Sequence, residues 1–358
     1  MKKVTLTLLF ALLTAGCAFS GPASVHTTRA DYNLAIQQTN EQELLLNLVR
    51  LRYRDTLYFL SVERIASSAE FTREMRATAE LPAGAANTYT IGPGVVTSAE
   101  KPTIFYTPLE GERFARQLMG IINPQVLVLL SNSGWSIERL MLITLQEMNG
   151  LRNAPTAAGP TPALAPEYAE FRKATAHLRR LQQRQLLEVG QVTDDTPAFL
   201  EFRFRPEAES DPDAIAFREL LGLRPDRDRY PVVPGFGPGD GESIHVVPRS
   251  LIGALNYLSQ AVEVPARDEE AGHVTLTVSA EGVPFEWQAL FAGLFRVSSS
   301  LETPNGAAVA VRYRDAWFYL RDDDLDSKST FSLLAQLMAL QAGPLGVRDT
   351  PITFSIGG

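Results

Sequence analysis

The chain has 358 residues, 45% of them hydrophobic and 21% charged, with a net charge of -8 at pH 7. That apolar content supports a folded protein with one large or two modest cores and excludes a disordered chain. The acidic balance, with a pI near 5.2, argues against nucleic acid or broad anionic surfaces as partners, because those need clustered Lys and Arg.

Lys2 and Lys3 precede a nearly continuous apolar run from Val4 to Leu13, and small residues lead into Cys17, the only cysteine. This is the layout of an export signal. The run is too short for a membrane-spanning helix, which needs about 20 apolar residues. With no second cysteine, no intramolecular disulfide can form, so hydrophobic burial has to hold the fold. Leu13-Thr14-Ala15-Gly16-Cys17 resembles a bacterial lipobox. The resemblance implies removal of residues 1–16 and acylation of Cys17. Stable anchoring takes more than one chain, at about 0.8 kcal/mol per buried methylene. By the same resemblance, Ala18 rather than Asp after the cysteine implies sorting to the outer membrane, facing the periplasm. Residues 17–30 are small and polar without periodicity and read as the lipidated tether.

The pattern predicts a helix from Asp31 to Arg54. Tyr32, Ala35, Ile36, Thr39, Leu46, Val49 and Tyr53 recur at helical spacing, and Leu44, Leu45, Leu48 and Leu51 widen the apolar surface until most of the helix is expected to be buried. One polar strip is left. Glu43, Asn47, Arg50 and Arg54 follow at steps of four, three and four along one line. Paired guanidinium groups suit an anion or carboxylate, so Asn47, Arg50 and Arg54 form a candidate binding strip. The alternative, a structural ion network, is the expected one, because helices often carry such pairs.

From Thr56 to Tyr106 the period changes to two, and Phe71, Met75, Ala77, Ala79 and Leu81 alternate with polar residues, as in strands or a long hairpin. Its connection is uncharged from Pro82 to Ser98. Helices are expected around Phe114, from Pro124 through Leu130, and from Ser136 as cap through Met148. Arg152 to Pro166 carries four prolines and reads as a linker. It divides an N-terminal region, 31–151, from a C-terminal one, 167–358.

Beyond it, a helix runs from Pro166 through Leu181, and Leu200, Phe202 and Phe204 form a strand with one wet face. Asp211-Pro212 opens a helix that stops at Gly222. A Pro- and Gly-rich loop spans 224–242. Strand Ile244–Val247, helix Ser250–Val262, strand Val274–Val278, a short helix near Phe285–Leu294 and the pair Ala307–Tyr313 and Trp317–Leu320 follow. A last helix, capped by Asp326 or Ser327, stops at Gly343-Pro344, and Ile352, Phe354 and Ile356 make a closing strand. These elements predict an α+β fold, with helices packed on mixed or antiparallel sheets in two subdomains.

Recognisable chemistry is sparse. The histidines stand far apart with no His-Glu-x-x-His, no Gly-x-Ser-x-Gly elbow is present, and Lys328-Ser329-Thr330 lacks the glycines of a phosphate loop. The alternating glycines 235, 237, 239 and 241 do not open a helix, so neither a nucleotide nor another cofactor is expected. Asp322, Asp324 and Asp326 have the alternate spacing of a calcium loop. Ser327 and Leu333, however, occupy its glycine and glutamate positions, so helix capping is preferred over a metal site.

Three segments resemble a group of uncharacterised proteobacterial envelope lipoproteins: Leu44 to Asp55, Arg249-Ser250-Leu251 with Tyr257 to Pro265, and Asp324 to Phe331. The resemblance implies the lipoprotein address and no activity. Two functions are therefore expected to compete. One is a non-enzymatic scaffold or docking component that meets another envelope protein. The other is a periplasmic ligand binder or hydrolase built around Asp322, Asp324 and Lys328 or around Arg50 and Arg54.

Overall fold

The computed structural model describes residues 22–73, 96–109, 111–191 and 200–341, in two compact units: residues 58–110, and the remainder of the chain. Cys17, most of the uncharged 82–98 connection and the expected closing strand at 352–356 lie outside the described residues.

Helix α1 spans Pro22–Arg52. It therefore takes in residues 22–30 of the expected tether. Proline suits a first helical turn, where its missing N–H is not needed, and neither Gly nor Pro interrupts the sequence from Ala23 to Arg52. From Ala30 onward, burial falls in the C-terminal part. Leu44, Leu45, Leu48, Val49 and Tyr53 are buried, whereas Asp31, Asn33, Leu34 and Ala35 are exposed, so the expectation of burial along most of the helix holds only for its last turns.

The smaller unit is a hairpin of β1 (Leu60–Arg73) and β2 (Val96–Pro108). The strands are antiparallel, Leu60 opposite Pro108 and Arg73 opposite Val96, with a register shift between Val62 and Arg64.

The larger unit resumes with α2 (Gly111–Met119), α3 (Gln125–Asn132) and α4 (Ile137–Thr144). At the start of α4, Ser136 Oγ accepts the Arg139 N–H at 3.4 Å. Ile137, Leu140, Met141, Leu142 and Ile143 are buried, each contributing about 1.5–3 kcal/mol relative to exposure. This helix ends sooner than Met148. The chain instead enters β3 (Leu145–Met148) and turns at Asn149 (φ 45°) and Gly150 (φ 82°) into β4 (Leu151–Arg152). Asn-Gly with both residues at positive φ is the favoured two-residue hairpin turn, and it overrides the helical spacing.

Helix α5 (Ala169–Gln183), β5 (Leu187–Gly190), β6 (Leu200–Phe204), α6 (Pro212–Leu221), β7 (Arg229–Pro234) and β8 (Ile244–Pro248) follow. As expected, Asp211 caps α6, Gly222 ends it at φ 63°, and Leu200, Phe202 and Phe204 face the core. Strand β7 falls in the stretch expected to be loop. Its prolines mask the alternation in which Tyr230 and Val232 are buried.

Six strands form one sheet in the order β4-β3-β8-β7-β6-β5, with only the β7–β8 pair parallel. This order overturns the expected division at 152–166, because β3 and β4 precede that stretch and β5 to β8 follow it. The stretch itself is folded in: Pro155–Ala158 makes a 3₁₀ turn, and Asn153, Ala154, Ala157 and Thr161 are buried.

The chain closes with α7 (Leu251–Ser259), α8 (Ala266–Glu270), α9 (Trp287–Phe291), β9 (Ser298–Ser300), β10 (Ala307–Tyr313), β11 (Ala316–Arg321) and α10 (Leu325–Gln341). Strands β10-β11-β9 form a three-stranded antiparallel sheet. No strand forms at Val274–Val278. Its polar groups are spent singly instead: Thr277 Oγ1 donates to Pro162 O at 2.7 Å, and Val278 N–H to Ala163 O at 2.9 Å. Helices on a mixed and an antiparallel sheet make this an α+β fold, as the sequence predicts.

Candidate functional site

The densest polar cluster gathers where α1 ends. Asp55 N–H donates to Arg50 O at 2.8 Å and Arg54 N–H to Leu51 O at 3.0 Å, with Arg54 at φ 62°. This is a Schellman closure with arginine where glycine is usual. It removes Arg54 from the line of the expected strip. Arg54 Nη2 instead donates to Thr161 O at 3.1 Å, and Arg50 Nη1 to Oδ1 of the fully buried Asn47 at 3.4 Å. The three strip residues are thus divided between the helix and the turn after it.

The residues between them carry more of the geometry. Arg52 is buried, donating through Nη1 to Thr161 Oγ1 at 3.2 Å and Thr275 O at 3.4 Å. Burial lowers its pKa, opposed by the charge of Glu269. Tyr53 Oη donates to Asp268 Oδ2 at 2.7 Å, and burial together with that carboxylate pushes the phenol well above its ordinary pKa. Asp268 is itself buried. Its Oδ1 also faces His273 Nδ1 at 3.4 Å and Arg267 Nε at 3.7 Å.

Asp55 accepts from Tyr313 Oη and, at 3.1 Å, from Arg314 Nη2. Burial pushes its pKa up, but these hydrogen bonds and the charges of Arg314 and Arg50 outweigh it and hold the carboxyl below its ordinary value. Arg314 also lies 5.0 Å from the Tyr53 ring centroid, within cation–π range. Arg314 and Asp315 turn the β10–β11 hairpin at φ 45° and 63°, a conformation that usually selects Asn or Gly. The contacts of Arg314, including its carbonyl's bond from Arg267 Nη2 at 2.6 Å, hold the turn there.

Asp268 between Tyr53 and His273 has the form of a carboxylate orienting an imidazole. Among the described residues, though, no hydroxyl or thiol is hydrogen-bonded to His273 as a nucleophile would be.

A second polar knot surrounds Arg249. This fully buried guanidinium donates to the carbonyls of Leu142 at 3.2 Å and Ala154 at 3.4 Å, and to those of Leu145 and Asn153. It stacks 4.0 Å from the Tyr257 ring centroid. Burial lowers its pKa to about 10 and raises that of Tyr257 to about 12. The knot ties the 152–166 stretch to β3 and α7, and so explains why that stretch is no linker.

The acidic turn before α10 does not converge on a metal. Asp322 pairs with Lys328 Nζ at 2.5 Å, Asp323 with Arg321 at 2.6 Å, and Asp326 with Arg139 at 2.6 Å. Asp324 accepts the Ser327 N–H at 3.0 Å and its hydroxyl at 2.6 Å. The cap is therefore Asp324, two residues before Asp326 and three before Ser327, because the helix begins at Leu325 and a capping side chain accepts the N–H two or three residues on. Among the described residues, no group of three His, Cys, Asp or Glu side chains is arranged to hold a metal. Asp322, Asp324 and Asp326 thus each face a different partner instead of converging on one point.

Asp268, Arg249, Arg314 and Arg139 were not singled out from the sequence. Arg249 and the Tyr53-Arg54-Asp55 run lie in the distinctive segments, but their partners are remote in the chain and carry no spacing signal. Among the described residues no helix is long and apolar enough to cross a membrane. No family model matches the chain, and neither a curated protein nor a solved structure matches it significantly.

Proposed function

We propose that the protein is a lipid-anchored, periplasm-facing component of the outer membrane that docks or scaffolds another envelope protein without catalysing a reaction. The observation that carries this reading is Cys17, the sole cysteine, closing an apolar leader in a lipobox-like order. Support also comes from the spent state of the groups a catalyst would use. Asp322 is engaged with Lys328, Asp324 with Ser327, and Asp55 and Asp268 with Tyr and Arg side chains. An enzyme or binder would present such groups to a ligand.

Labelling with radioactive palmitate and fractionation on a density gradient test the anchor. Wild type is expected to incorporate label and sediment with outer membrane, and Cys17→Ser to lose both. Processed, membrane-bound Cys17→Ser in unaltered amount would sink the reading. Crosslinking in intact envelopes is expected to give a discrete partner band that depends on Cys17.

A further inference from the structure

Strand β9 is an edge strand whose outer side is only partly used. Val297, just before it, donates its N–H to Ala261 O at 3.2 Å and accepts from Glu263 N–H at 2.9 Å, the parallel bridge of Val262 with Val297. Backbone groups alternate sides along a strand. With Val297 facing outward and Ser298 and Ser300 facing β11, the N–H and C=O of Ser299 point outward again. Neither has a backbone partner outward among the described residues. The chain that supplied the first rung has turned away at Pro265 into α8.

A groove of about 380 Å³ opens in the place of the missing rungs, lined by Pro265, Ala266, Arg267, Ser299, Ser300 and Leu301. The strand's serines are small, so no bulky side chain overhangs the edge, and β9 carries none of the lysines, prolines or bulges that blunt such edges elsewhere. Leu301 is 65% exposed at the groove's end. The lining holds one cation and no carboxylate. Arg267 spends Nη2 on Arg314 O and turns Nε toward Asp268, leaving Nη1 without a protein partner among the described residues.

We propose that this groove binds an extended polypeptide segment of a partner protein, which adds as a strand to the free edge of β9 and sets a carboxylate against Arg267. Main-chain hydrogen bonds to Ser299 supply the affinity. The apolar contacts with Pro265, Ala266 and Leu301, and the charge on Arg267, supply the selection. The occupant is a polypeptide rather than a small anion because the unmet groups are a backbone donor and acceptor at strand spacing.

The proposal deepens the docking reading and rests on it for the existence of a partner. The purified full-length lipoprotein in detergent is used to select from a phage-displayed octapeptide pool, and the best binder is resynthesised with a fluorescent label. Polarisation titrations are expected to show that N-methylation at every second amide abolishes binding while the other parity is tolerated. That pattern is the signature of strand addition. Ser299→Pro, which removes the outward N–H without touching the bonds to β11, should weaken binding at least about tenfold. Arg267→Gln should weaken acidic peptides and not neutral ones. If no peptide is enriched, or if binding ignores N-methyl parity, the proposal is overturned even where Ser299→Pro folds poorly. Should the Cys17-dependent crosslink persist in Ser299→Pro envelopes, docking stands and the groove is not its site. Should parity-dependent binding occur while Cys17→Ser stays in membranes, the groove stands and the anchor reading falls.

Discussion

Arg249 is a buried cation with no carboxylate bonded to it among the described residues; four main-chain carbonyls and the face of Tyr257 take that place. Truncation opens a cavity and takes the guanidinium donor from Asn153 O, while Leu142 O and Leu145 O keep Asn153 Nδ2 and Ala154 O keeps the Ala157 N–H; an acceptor left unsatisfied costs about 1–3 kcal/mol. Arg249→Ala is therefore expected to cost about 3–5 kcal/mol in urea unfolding. Arg249→Lys should recover only part of it, since one ammonium cannot reach all four acceptors. Asp55 makes a different prediction. Its carboxyl is held below its ordinary value, so its contribution to stability is present above the unfolded pKa of about 3.9. That contribution is lost as pH falls through the lower folded pKa. The stability gap between wild type and Asp55→Asn should accordingly narrow from about pH 5 to about pH 2.5, read as urea midpoints. A gap that widens on acidification would show that Asp55 is not held by Tyr313 and Arg314.

Helix α10 begins at Leu325, directly after Asp324, whose side chain accepts the Ser327 N–H. Losing such a cap typically costs about 1 kcal/mol. Asp324→Ala should show that cost, with calcium or chelator leaving the melting temperature unchanged for both proteins. Asp326 acts differently. It pairs with Arg139, which also donates to Thr330 Oγ1 at 2.5 Å and to Asp326 O, joining the start of α10 to α4. A calcium-dependent rise in melting temperature that Asp324→Ala removes would restore the metal reading. At the other boundary that departs from helical spacing, Asn149 and Gly150 take positive φ between β3 and β4. Gly150→Val is expected to destabilise the protein by more than about 1 kcal/mol, because a β-branched residue resists that conformation.

At the scale of the molecule, residues 58–110 stand as a unit whose two strands pair only with each other, while the six- and three-stranded sheets belong to the rest of the chain. The unit's ends are drawn together by the Leu109 N–H bond to Phe59 O at 2.9 Å. Excising residues 60–108 and closing the gap with a short flexible turn should leave circular dichroism of the larger unit native-like and its unfolding cooperative. Loss of cooperative unfolding would show that the hairpin is part of the larger unit's folding. The same scale holds α1, a 31-residue helix about 46 Å long at 1.5 Å per residue. Its Asp31–Asn40 stretch is largely exposed and its Leu44–Val49 stretch is built into the larger unit.

Local rules were enough to read many elements. Asp211-Pro212 and Gly222 bound one helix, the alternation of Leu200, Phe202 and Phe204 marks a strand, and the apolar run after Ser250 makes a helix. Each depends on neighbours within a few residues, where capping, φ preferences and period act directly. The α+β class follows from their mixture. What long-range partners decide is not written in local spacing. The stretch 152–166 has a linker's composition, yet Arg249, almost a hundred residues away, draws its carbonyls inside and overrides it. Asp322, Asp324 and Asp326 have a calcium loop's spacing, but Lys328, Ser327 and Arg139 each claim one of them. The strip Asn47, Arg50 and Arg54 is continuous as a pattern and broken as an object, because the Schellman turn swings Arg54 toward Thr161. Spacing specifies which groups can meet along one element; which groups do meet depends on backbone acceptors and charges delivered by remote segments, and those exist only once the tertiary fold has formed.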